Sequence, residues 1–161
     1  YLVLDTACAK MCCGENWRHG YLQRLDPLGL TEISMPNHEH FKFGISRCIS
    51  VEKSFWPVAT RGVPYIITPS FIRENPDLHL LGSLGFMEAV GLLLDVPFRR
   101  CEFRKLGLSE ISLCRTPTGH LAVCIIEFPT DNIPSLIGDL DTWVHEAQHL
   151  WAEGELSLIH I

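Results

Sequence analysis

The hydrophobic positions of this chain fall in short runs broken by glycine, proline and small polar residues, the pattern of strands joined by turns. YLVL at the start, FKFGISRCISV at 41–51, SFWPVAT at 54–60 and VPYIITPSF at 63–71 read as strands. LLLDV, CEFRKL, EISLC and HLAVCIIEF continue the series to residue 128. One segment differs: FMEAV, residues 86–90, follows a serine and a glycine and stops at Gly91, as a short helix does. The pattern predicts a mainly β domain over residues 1–128 with one short helix. PTDNIPSLIGDL (129–140) reads as a linker, and DTWVHEAQHLWAEGE (141–155) as a tail helix with Asp141 at its N-cap. LSLIHI (156–161) resembles the in-frame translation of a sequencing-library adapter and is set aside from the fold prediction.

Composition narrows the classes of function. At 161 residues the chain is long enough for one domain with a real core, and 47% apolar with 20% charged residues is ordinary for a globular protein. A net charge of -6 offers no basic face to neutralise phosphates, so nucleic acid is not an expected partner. Apolar runs such as residues 90–96 are too short to span a bilayer, and no membrane partner is expected. Tyr1 opens the sequence inside a strand without a methionine, as in a fragment. The seven cysteines are odd in number and lack CxxC spacing, which predicts reduced thiols in an intracellular protein rather than a disulfide framework or zinc knuckle.

The first strand ends on Asp5-Thr6-Ala7. An aspartate there is most simply a turn residue. It also suits hydrolysis, because two carboxylates about 3 Å apart cannot both ionise, and one then activates water while the other donates a proton. Thr6 supplies a hydroxyl and Ala7 a small side chain where two such loops approach. A second signal lies about 75 residues on: LHLLGSLGFMEAVG, an apolar strand, Gly82, then the short helix. Glycine at that strand end lets the chain pass close beneath the aspartate loop.

LVLDTACAK followed by LHLLGSLGFMEAVG resembles the retropepsin-like aspartic proteases, and most nearly the protease segment of copia-type retrotransposon Gag-Pol polyproteins. CCGENW after the aspartate motif, FKFG at 41–44 and TPTGHLAVCI at 116–125 follow the same order, so the similarity spans residues 1 to about 126. The resemblance implies a retropepsin-like closed β-barrel half, preceded in that family by one more strand ahead of the aspartate motif. It implies Asp5 as the catalytic aspartate, with Thr6 and Ala7 completing the active-site loop. Leu80, Leu81 and Gly82 become the strand–glycine element behind that loop. Phe43, Gly44, Ile45, Ser46, Arg47 and Cys48 become the candidate flap. Ala7 stands where that family has glycine. With one such motif in the chain, activity requires a homodimer contributing one Asp5 per subunit and acting on an extended peptide or polyprotein, without cofactor or metal. The setting implied is the cytoplasm or a virus-like particle. A decayed relative serving as a dimerisation or binding module is the non-enzymatic alternative.

His145, Glu146 and His149 spell HEAQH, the spacing of a zinc peptidase, with two histidines one helical turn apart and a glutamate as base. A third ligand is hard to supply, because Glu153 would lie on the same helix. The simpler account is an amphipathic tail with exposed histidines. His38 and His40 read as a loop before a strand, Trp17, Phe55 and Trp56 as core or rim aromatics, and His120 as part of a turn. Cys8 has no assignable histidine partner to make it a nucleophile.

Overall fold

A computed structural model describes residues 1–130, with Thr142, His145 and the pair Ile159–His160 beyond them. The domain is mainly β, as the hydrophobic pattern predicts. The N-terminal part holds β1 (Leu2–Leu4), β2 (Cys12–Gly14), α1 (Glu15–Leu25), β3 (Ile33–Phe43) and β4 (Ser46–Thr60). Then come β5 (Val63–Ile67), β6 (Ser70–Ile72), β7 (Leu81–Gly82) and α2 (Leu84–Val90). The sequence closes with β8 (Leu92–Asp95), β9 (Arg100–Phe103), β10 (Leu108–Ser112), β11 (Cys114–Arg115), β12 (Leu121–Val123) and β13 (Ile159–His160).

Ten strands make one sheet in the order β11-β12-β1-β7-β2-β6-β4-β5-β13, with β3 paired to the long β4, and β8, β9 and β10 form a second antiparallel sheet. The expected closed barrel is not formed among the described residues. After β12 the chain crosses to the far side, where Ala59 N–H donates to Ile125 O at 2.9 Å and Glu127 N–H to Ala59 O at 3.0 Å. That contact is a lone bridge between Ala59 and Ile126, so the sheet wraps its core without a continuous ladder to close it.

Two further corrections concern elements. α1 is a second helix, where one was expected. Its sequence ENWRHGYLQRL buries only Tyr21 and Leu25, too few apolar positions to announce an amphipathic face. It is held from outside by stacking of Trp17 and Tyr21 on Trp56, with centroids 4.8–5.8 Å apart. His38 and His40 lie within β3 rather than in a loop before it, and their rings meet edge to face at 5.2 Å. Among the described residues β3 has a ladder with β4 alone, so its outer edge tolerates Pro36, and one extra residue bulges between Pro36 and Glu39.

α2 starts two residues earlier than predicted because Ser83 caps it, its Oγ accepting from Phe86 N–H at 3.2 Å. The main core gathers Leu2, Trp56, Tyr65, Phe71, Phe86 and Phe103, all at most 2% exposed. Phe55 and Trp56 are core residues as expected, and Trp17 packs partly buried against the same core. His120 sits in the turn entering β12, its N–H donating to Thr116 Oγ1 at 3.0 Å. No helix among the described residues is long and apolar enough to cross a membrane. The predicted linker from residue 131 onward lies outside the described residues, as does all of the tail helix apart from Thr142 and His145. The adapter-like end contributes β13, with Ile159 opposite Ile66 and His160 opposite Tyr65.

Candidate active site

Asp5 leaves β1 directly into a tight turn. Cys8 N–H donates to Asp5 O at 3.1 Å, and neither Thr6 nor Ala7 has a positive φ, as in a type I turn. The Asp5 carboxylate accepts from Ala7 N–H at 3.0 Å through Oδ1, which fixes its orientation. Alanine adopts this backbone without strain, so within the chain Ala7 fills the glycine position of the resemblance at no conformational cost. Thr6 and Ala7 are exposed and Asp5 is half-buried.

The strand–glycine element lies where the sequence argument put it. β1 runs parallel to β7, with Val3 opposite Leu81 and Leu4 opposite Gly82. Val3 N–H donates to Leu80 O at 2.9 Å and Asp5 N–H to Gly82 O at 3.1 Å, so Asp5 hangs directly from this strand. A Cβ on Gly82 would stand 2.4 Å from Leu2 Cδ2 and 3.2 Å from Val3 O, which explains the glycine. Leu80 is fully buried behind it.

β3 and β4 form a long hairpin whose two-residue turn is Gly44-Ile45, with φ of 61° on the glycine. Phe43 and Ser46 are the last cross-strand pair, and Ile45 is wholly exposed at the tip. Arg47 follows on the returning strand opposite Lys42, and Cys48 is buried opposite Phe41. A cleft of about 470 Å³ separates this hairpin from the Asp5 turn. Asp5, Ala7 and Leu81 line one side, and Phe43 and Gly44 the other. The structure thus brings Asp5, Ala7, Leu81 and the hairpin tip to one cavity, with Leu80 and Gly82 supporting it from beneath.

Residues that sequence reasoning did not assign to the site also face this cavity: Cys8, Lys10, His40, Phe41 and Lys42. Cys8 and Lys10 lay in the opening motif itself, but nothing in their spacing marks them. His40 and Phe41 reach the cavity only through the fold of the hairpin. Lys10 pairs with Glu39 of the hairpin at 3.4 Å. Glu39 also accepts from Ser70 Oγ and faces the buried Lys53 at 3.9 Å. Burial alone would raise the Glu39 carboxyl, but hydrogen bonds from Ser70 and Asn37 and the charges of Lys53 and Lys10 hold it below the usual carboxylate range. Burial lowers the Lys53 ammonium to about 8 against the opposing pull of Glu39. This polar cluster ties the aspartate loop, the hairpin and β6 together.

No group of three or more metal-binding side chains occurs among the described residues. His145 is helical and exposed, while Glu146 and His149 lie outside the described residues. All seven cysteines are free thiols. Compared with protein families, with curated proteins and with solved structures, the chain matches none.

Proposed function

We propose that the chain is a retropepsin-type aspartic endopeptidase of a retroelement polyprotein, active as a homodimer. The observation that carries this reading is Asp5 suspended from the Gly82 strand and facing a glycine-tipped hairpin across a cleft. The turn, exposed at Thr6 and Ala7 and half-buried at Asp5, is open to a second copy of itself, as the half-site requires. Two such aspartates share a proton, so one polarises the scissile carbonyl while the other draws a proton from water. Water attacks directly and no acyl-enzyme forms. The peptide lies extended in the cleft, adding backbone hydrogen bonds as a strand does. Within this reading the wrapped sheet is a retropepsin half.

The expected outcome is pepstatin-sensitive cleavage of a polyprotein-derived peptide at mildly acidic pH, reduced at least about a thousandfold by Asp5→Asn. Cleavage that survives Asp5→Asn and stops with chelator would overturn the reading in favour of His145, Glu146 and His149. Ala7 supports the non-enzymatic reading, in which a dimer forms and cleaves nothing, because its methyl occupies the place where two loops must approach.

A further inference from the structure

The turn that carries Asp5 rests on a small cluster separate from the main core, made of Cys8, Cys12 and Cys48 with Phe41 and Ile72. Three thiols thus gather at the base of the loop that carries Asp5. Cys8 is the thiol that also lines the Asp5 cleft. Its Sγ hydrogen-bonds Lys10 O at 2.8 Å, and its backbone holds the loop at both ends. Cys8 N–H donates to Asp5 O at 3.1 Å and Cys8 O accepts from Leu84 N–H at 3.0 Å. Cys12, on β2, is fully buried behind it, while its neighbour Cys13 alternates to the opposite face and enters the main core.

We infer that Cys8 and Cys12 form a dithiol redox site beneath the catalytic turn, with Cys8 as the attacking thiol at the cleft and Cys12 as the resolving thiol behind it. A hydrogen bond from the Cys12 thiol lowers the Cys8 pKa, against the opposing effect of burial, and the same bond together with burial raises the Cys12 pKa. This is the division of labour that thiol–disulfide exchange needs.

The reaction partner is a small-molecule disulfide such as oxidised glutathione. The Cys8 thiolate attacks one sulfur, the S–S bond of the reagent breaks, and one glutathione thiolate leaves. Cys12 then attacks Cys8 Sγ of the mixed disulfide, the second glutathione leaves, and the Cys12 proton goes to a leaving thiolate. The net change is two protein thiols oxidised to one disulfide and one reagent disulfide reduced to two thiols. Contracting Cys8 onto Cys12 pulls on both backbone bonds that hold the turn, so oxidation displaces Asp5. That consequence rests on the peptidase reading above, whereas the thiol chemistry does not.

The test treats the full chain, folded, with oxidised glutathione and maps the products without reduction. Trypsin cuts after Lys10 and Arg18, so a Cys8–Cys12 disulfide joins peptide 1–10 to peptide 11–18. The expected result is that linkage in the wild type and in Cys13→Ser. In Cys12→Ser it is absent, and Cys8 retains glutathione. The inference is overturned if Cys8 stays a free thiol while the half-buried Cys114 and Cys124 react, or if the link runs to Cys13 or Cys48. Where Cys12→Ser does not fold, the Cys13→Ser map decides, because peptide 11–18 then holds Cys12 as its one cysteine. A parallel cleavage assay should lose at least nine-tenths of its rate on oxidation and regain it with dithiothreitol. Linkage without cleavage in either redox state would sink the peptidase reading and leave the dithiol standing.

Discussion

At Gly14 and Gly82 a methyl group would meet different neighbours, and the difference predicts unequal costs. On Gly82 the added carbon would stand 2.4 Å from Leu2 Cδ2, the end of a side chain that can turn aside. On Gly14 it would stand 2.2 Å from Pro76 O and 2.4 Å from Asn75 O, both backbone atoms of the segment that leads to β7. Overpacking in a close-packed site costs about 1–3 kcal/mol, least where a side chain can yield. Gly82→Ala should therefore lose about 1 kcal/mol and Gly14→Ala about 3 kcal/mol or more, read from urea midpoints. Equal losses would mean that the backbone around Gly14 gives way as easily as a leucine side chain. Asp5 and Gly82 were legible in the sequence because each is demanded by local geometry: a turn-initiating carboxylate and a strand end too crowded for a Cβ. Lys10 and His40 were not, since their place in the cleft depends on a hairpin folding across from elsewhere in the chain.

The strands visible in the sequence are those whose burial forces apolar residues into runs, such as β4 over SFWPVAT and β5 over VPYII. β3 as far as His40 and the whole of α1 escaped because little of either is buried; tertiary contacts supply what their own patterns lack. The clearest of these contacts is Arg18 of α1. Its guanidinium bonds Glu32 at 2.6 Å and Glu52 of β4 at 2.9 Å, and lies 4.0 Å from the Phe71 ring centroid. Glu32 in turn accepts from Trp56 Nε1 at 2.7 Å. Arg18→Met leaves two part-buried carboxylates without their cation. Breaking a buried pair costs about 3–5 kcal/mol, and partial exposure of Glu52 brings the expected loss to about 2–3 kcal/mol.

The same contact sets an acid dependence. Hydrogen bonds from Arg18 and Ser34 hold the Glu52 carboxyl below its ordinary value. The unfolded chain therefore binds its proton first as pH falls. The stability this contributes is complete above the unfolded pKa and is lost as pH drops through the folded one. Urea midpoints measured from neutral pH down to about pH 3 should fall less steeply in Arg18→Met than in the wild type. The slope should not vanish, because Glu39 keeps its own depressed carboxyl. Parallel curves for the two proteins would show that Glu52 does not report this contact.

Across the whole molecule, the wrapped but unclosed sheet places the Asp5 turn at the surface, where only a second copy can complete the proposed site. This moves the question posed by Ala7 from the chain to the proposed dimer. Within one chain Ala7 sits in an ordinary turn and gains from having fewer unfolded conformations than glycine would. Ala7→Gly should therefore destabilise the single chain by about 0.4–1 kcal/mol, read from urea midpoints at a concentration where it is monomeric. If two turns pack against each other in the active dimer, the same change removes two methyl groups from the closest approach. Association measured by analytical ultracentrifugation should then tighten by about tenfold, the equivalent of about 1.4 kcal/mol, and peptide cleavage should rise with it. The two effects carry opposite signs, so one substitution separates them. A variant that is less stable and no more dimeric would show that the turns do not meet, and would leave the chain with the binding-module reading.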